Sequence, residues 1–121
     1  MKMLVIDDST TMRLILVKTL KDLGHEVSQA KDGKEGLAVA LPLEGLSGVF
    51  VDWNMPEMNG YEFVVAARAE ARLQKVPIVM VTTENELPGV QKAIASGANG
   101  YILKPFTKDS IAAKLKELGL A

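Results

Sequence analysis

The sequence predicts an α/β fold, a single (βα)5 domain with a five-stranded parallel sheet, and three observations carry that prediction. Five short apolar runs rich in β-branched residues alternate with segments of helical period. The first, third and fourth runs are almost wholly apolar, as strands covered on both faces must be. The length of 121 residues, with 48% hydrophobic and 24% charged, suits one compact domain over residues 1–121. A chain of this size buries roughly two-thirds of its unfolded surface, so it needs no metal or disulfide staple to hold a core.

The strands fall at residues 3–7, 26–30, 49–52, 78–81 and 101–103. Ser9 or Thr10 is placed to cap the first helix, and Gly24 to stop it in a left-handed turn. Met12, Ile15, Leu16, Leu20 and Leu23 are read as its inward face, which leaves Leu14 and Val17 pointing to solvent as ordinary isolated aliphatics. A second helix spans about residues 34–41, after the Asp32-Gly33 turn and before Pro42, which cannot continue it. The third runs from about Tyr61 to Arg72, where Ala66, Ala67, Ala69 and Ala71 give strong helical propensity. The fourth, near residues 87–96, starts weakly at Pro88-Gly89, stops at Gly97, and is expected to fray first. The last, residues 107–118, turns Ile111, Leu115 and Leu118 inward and carries Lys114 and Lys116 where cations oppose the dipole.

Composition removes several function classes. There is no cysteine, which excludes disulfides, thiolate zinc sites, iron–sulfur clusters and cysteine nucleophiles. Fourteen basic against fifteen acidic residues leave a net charge of -1, with no general drive toward nucleic acid or anionic lipid. The apolar start, Met1 to Ile6, is too short for a signal peptide or a membrane span. A cytoplasmic monomer without nucleic-acid or membrane partners is the expectation.

Chemistry in a parallel α/β sheet collects at the carboxyl ends of the strands. Here the first strand ends in Asp7-Asp8, the third in Asp52, the fourth in Thr82-Thr83 and the fifth in Lys104-Pro105. Three converging carboxylates repel unless a cation sits among them, and their hard oxygens suit Mg²⁺. Because Mg²⁺ takes one or two carboxylates together with phosphate oxygens, the trio reads as an open phosphate-handling site. Lys104 can meet remaining phosphate charge, and Thr82 can offer a hydroxyl donor.

These segments resemble the receiver domain of two-component signalling, in particular its stand-alone chemotaxis members. The resemblance runs through Ile6-Asp7-Asp8-Ser9-Thr10-Thr11-Met12-Arg13, Val51-Asp52-Trp53-Asn54-Met55-Pro56, Met58-Asn59-Gly60, Met80-Val81-Thr82 and the stretch from Gly97 through Tyr101 and Lys104-Pro105 to Thr107. It implies a doubly wound, flavodoxin-like sheet of order 2-1-3-4-5. It implies that Asp52 is the phosphoacceptor, that Asp8, Asp52 and the Asn54 backbone carbonyl bind Mg²⁺, and that Asp7 holds a metal-bound water. Lys104 would pair with the phosphoryl group, Thr82 would turn its hydroxyl toward it, Tyr101 would follow as a rotamer switch, and the Lys104-Pro105 bond would be cis. Trp53 would report binding by fluorescence, and Asn54, Glu84 and Thr83 would influence the lifetime of the phosphoryl group. The phosphodonor would be a sensor histidine kinase. The output face would comprise the fourth helix, last strand and last helix, with Val90, Tyr101 and Lys114 as candidate contacts.

The output partner would be a flagellar motor switch protein or other target. Glu84, Glu86 and the Pro-Gly pair stand where enteric relatives tend to carry lysines. Two other functions compete: a relay or phosphate sink serving a histidine phosphotransferase, and an Mg²⁺-dependent aspartyl-phosphate phosphohydrolase. The last needs an acid/base Asp two residues beyond Asp52, where Asn54 stands. His25, the single histidine, is expected at the surface or in a capping role.

Overall fold

The computed structural model describes residues 1–120. Its elements are β1 (Lys2–Ile6), α1 (Thr10–Asp22), β2 (Glu26–Ala30), α2 (Gly33–Ala40), β3 (Leu46–Asp52), α3 (Gly60–Arg68), β4 (Ile78–Thr82), α4 (Leu87–Ala95), β5 (Gly100–Leu103) and α5 (Lys108–Glu117). Short 3₁₀ turns lie at Ala71–Leu73 and Glu84–Glu86. All strand pairs are parallel, in the order β2-β1-β3-β4-β5.

Period-2 alternation splits the strands between two cores. Leu4, Ile6, Val49, Val51, Ile78 and Met80 face the layer of α2, α3 and α4, where Phe63, Val64, Ala67, Val90 and Ala93 cover them. Met3, Val5, Phe50, Val79, Val81 and Ile102 face α1 and α5, packing on Leu16, Val17, Leu20, Ile111 and Leu115. Each large side chain so buried contributes about 1.5–3 kcal/mol, and together they hold the strand ends that form the rim. Among the described residues no helix is long and apolar enough to cross a membrane.

Local chemistry sets the helix ends. The side chains of Ser9, Asp32, Asn59 and Thr107 accept from backbone N–H groups in the first turns of α1, α2, α3 and α5. Gly24 closes α1 with φ 93°, and Gly97 follows α4 with φ 125°. Pro88 is accommodated in the first turn of α4 because the N–H it lacks has no intrahelical partner there.

Two expectations need correction. The inward stripe of α1 is Leu16, Val17 and Leu20, so Val17 is buried and Ile15 is 46% exposed beside Leu14 at 52%. At 100° per residue Leu16, Val17 and Leu20 fall within an arc of about 100°, which leaves Ile15 about 140° from Leu20; Arg13 lies on the same arc and donates to the Asp7 carbonyl at 2.8 Å and to Gln29 Oε1 at 2.9 Å. α3 ends at Arg68 instead of Arg72. The Arg68 guanidinium donates to the carbonyls of Leu73 and Gly97 and to Asn99 Oδ1, which requires the chain to fold back, and the following 3₁₀ turn seats Leu73 in the core.

Candidate functional site

Because the strands are parallel, the residues ending β1, β3, β4 and β5 share one rim. Asp7 and Asp8 follow β1, Asp52 ends β3, Thr82 ends β4, and Lys104 follows β5. The register pairs Asp52 with Val81 and Thr82 with Leu103. Carboxylate oxygens of Asp7, Asp8 and Asp52 lie within 4.8 Å of one another. Lys104 Nζ donates to Asp52 Oδ1 at 2.7 Å, and the Lys104 backbone N–H donates to the Thr82 carbonyl at the same distance. The Lys104–Pro105 peptide bond is cis.

Asp7 and Asp52 are buried, while Asp8 is exposed and gives the cluster its open side. Burial lifts the Asp52 carboxyl to a pKa of about 6; the Lys104 hydrogen bond opposes the rise, and the charges of Asp7 and Asp8 add to it. Burial likewise raises Asp7, against the Ser9 N–H that donates to its Oδ1 at 2.9 Å. Lys104 moves the other way in energetic sense. Burial disfavours its ammonium, yet Asp52, Asp7 and Glu86 hold its pKa above the ordinary lysine value. The pair is consistent: a lone lysine among acids is stabilised as a cation, but it cannot offset desolvation plus two like charges at Asp52. Three hard oxygen donors with surplus negative charge and one exposed edge fit a divalent ion such as Mg²⁺.

The flanking residues form the rest of the rim. Trp53 is half-buried, with its indole packed on Gly89 at the start of α4, where a Cβ would collide with the ring. Asn54 and Glu84 are exposed and Thr83 is half-buried. Tyr101 is 37% exposed and sits on β5 two residues before Leu103, the partner of Thr82. It lines an open groove with Leu103, Pro105, Ser110 and Lys114. Lys114 pairs with Glu117 at 3.1 Å. Val90 does not belong to any outward face: with Ala93, one turn further on, it forms the buried stripe of α4, and Ile94 at 39% is the aliphatic that this helix exposes. His25 is half-buried beside Leu23, Ala112 and Leu115, its Nδ1 without a hydrogen-bond partner.

Sequence reasoning missed two participants. Arg13 anchors the Asp7 backbone, a contact between segments that no local pattern announces. Glu86 accepts from Thr82 Oγ1 at 3.1 Å and from the Thr83 N–H at 3.0 Å. Its signal was present, since Thr83 followed three residues later by Glu86 is the pattern of a reciprocal helix cap.

The chain is similar to known proteins over nearly its whole length. The sequence profile described as the response regulator receiver domain matches residues 3–116. A chemotaxis protein CheY homolog of Campylobacter jejuni is 45% identical over 119 residues, covering 98% of this chain and 92% of the relative. CheY1 of Helicobacter pylori is 43% identical over 117 residues, covering 96% and 94%. The solved chemotaxis protein CheY4 of Vibrio cholerae superposes with a TM-score of 0.89 at 39% identity, covering 96% of each chain. A rim of acids and one lysine at the ends of parallel strands, on a sheet of this order, thus comes with a match across nearly the whole length, and the chain belongs to the response regulator receiver domain family.

Proposed function

We propose that this receiver is a cytoplasmic switch of chemotaxis, phosphorylated on Asp52 by a sensor histidine kinase. The observation that carries the reading is the buried Asp52 carboxylate, hydrogen-bonded by Lys104 and flanked by Asp7 and Asp8. An Asp52 oxygen attacks phosphorus in line, the P–N bond of phosphohistidine breaks, and the imidazole leaves with its electron pair and takes up a proton. Asp8, Asp52 and the Asn54 carbonyl would hold Mg²⁺ directly and Asp7 through water. The ion, when bound, spreads the charge of the phosphoryl oxygens. Lys104 neutralises one of those oxygens, Thr82 donates its hydroxyl to another, and Tyr101 follows Thr82 along β5. The face that responds is α4, β5 and α5, through Ile94, Tyr101 and Lys114, toward an output target such as a motor switch protein. Asn54 has no proton to shuttle, which argues against free-metabolite phosphatase chemistry.

The test is intact-mass spectrometry after incubation with acetyl phosphate and Mg²⁺. One phosphoryl group per chain, released by hydroxylamine as an acyl phosphate, is the expected result. No mass increase, or a hydroxylamine-stable adduct, overturns the reading.

Stability provides a second check. In metal-free buffer the folded protein holds the Asp52 proton up to about pH 6, whereas the unfolded chain releases it near 3.8. The native state therefore binds more protons in that window, and stability falls as pH rises through it, by about 2–3 kcal/mol. Mg²⁺ at tenfold its Kd restores about 1.4 kcal/mol at pH 7.5, or about 5 °C in Tm. At pH 5 the same Mg²⁺ concentration is expected to give only about 0.4 kcal/mol, because Asp52 must first lose its proton. Equal gains at both pH values in a thermal melt refute the assignment of Asp52 as a ligand.

A further inference from the structure

The one proton of the Thr82 hydroxyl is already engaged in this structure. Its acceptors are Glu86 Oε1 at 3.1 Å and the Thr83 carbonyl at 3.3 Å, and both lie on the turn leading into α4, not on β3 where Asp52 sits. Thr82 is fully buried, so water cannot replace a lost partner readily. The same Glu86 oxygen accepts the Thr83 N–H at 3.0 Å, which fixes the carboxylate against the end of β4. Glu86 is also the last residue before α4. One side chain therefore ties the donor that a phosphoryl group requires to the start of the helix that responds. The Glu86 charge also acts on Lys104, the residue that donates to Asp52.

We infer that Glu86 is a positioning residue, a latch that holds the Thr82 hydroxyl toward α4 in the unmodified protein and sets the threshold for switching. The inference rests on the phosphoacceptor reading above. A phosphoryl group on Asp52 competes with Glu86 for one proton. When it wins, Glu86 loses its tie to Thr82 and keeps only the bond from the Thr83 N–H, so the hold of the Glu84–Glu86 turn on the end of β4 is weakened. The resting state is thereby favoured by a charge-assisted hydrogen bond that activation must break.

Beryllofluoride, a phosphoryl mimic, tests this in the whole 121-residue chain with saturating Mg²⁺, read by Trp53 fluorescence. Glu86→Ala is expected to tighten beryllofluoride binding by about tenfold, in line with the loss of a hydrogen bond to a charged group. Glu86→Gln removes the charge and keeps an acceptor at Oε1, so its gain is expected to be clearly smaller. In a Thr82→Ala background, Glu86→Ala is expected to give no gain, since the latched hydroxyl is gone. Equal gains for Ala and Gln, or a gain that survives in the Thr82→Ala background, overturn the latch in favour of a simple field effect. Wild-type protein that binds beryllofluoride while Glu86→Ala binds no tighter overturns the latch alone. Wild-type protein that binds none overturns the phosphoacceptor reading with it.

Discussion

Asp52→Asn is expected to abolish labelling by acetyl phosphate and, at the same time, to make the metal-free protein more stable. Both effects follow from one fact, the placement of an ionised carboxylate where burial and two neighbouring acids oppose its charge. The amide is nearly isosteric and its oxygen can still accept from Lys104 Nζ, so the packing of the rim is retained. What disappears is the nucleophile and the buried charge. The gain is expected to be about 1–3 kcal/mol at pH 7.5, and to shrink below pH 6, where wild-type Asp52 is itself protonated. Urea denaturation at two pH values and intact-mass spectrometry measure the two halves. Labelling that persists at the wild-type level moves the acceptor to Asp7 or Asp8. A variant less stable than wild type at pH 7.5 refutes the claim that the carboxylate is held under electrostatic strain.

The same logic explains why the site was legible in the sequence while other features were not. Asp7, Asp8, Asp52, Thr82 and Lys104 sit at the ends of strands, and a parallel sheet brings such ends to one edge whatever the loops do. Their meeting depends on topology, which apolar runs and helical spacers announce. The rotation of α1 depends instead on single contacts. Counting apolar residues favoured Ile15 over Val17, but the buried arc is the one that carries Leu16, Val17 and Leu20, and Arg13 on that arc contacts Asp7 and Gln29. The end of α3 was decided in the same way, with Arg68 binding carbonyls of later segments against the helical propensity of the alanines around it. Glu57 adopts a left-handed backbone at φ 67° in the loop after Asp52, and with no glycine or asparagine at that position the sequence gives no sign of it. α4 starts at Leu87, where it was expected, but Val90 was assigned to the wrong face: Val90 and Ala93, one turn apart, form the buried stripe, and the exposed aliphatic is Ile94.

Lys104→Ala separates the two tasks of that lysine by effects of opposite sign. Its ammonium contacts Asp52 Oδ1 at 2.7 Å, on a carboxylate that belongs to the acidic cluster. It is therefore both a partner for an incoming anion and a competitor for an incoming cation. Without it, Mg²⁺ is expected to bind about three- to tenfold more tightly, because three carboxylates then lack their neighbouring positive charge. Beryllofluoride is expected to bind at least about a hundredfold more weakly, because the charge-assisted hydrogen bond to a phosphoryl oxygen is lost. Labelling on Asp52 continues at a reduced rate, since the nucleophile remains, while the Trp53 response to the mimic fades. The metal-free protein is expected to lose about 1–3 kcal/mol, the cost of leaving Asp52 buried without its partner. Fluorescence titrations with Mg²⁺ alone, and then with the anion at saturating Mg²⁺, measure the opposing shifts directly. Weaker binding of both ligands would mean that Lys104 shapes the rim mechanically, and the electrostatic account of the site would then have to be abandoned. A general loss of structure lowers both affinities together, so only a direct charge at Asp52 predicts that one rises as the other falls.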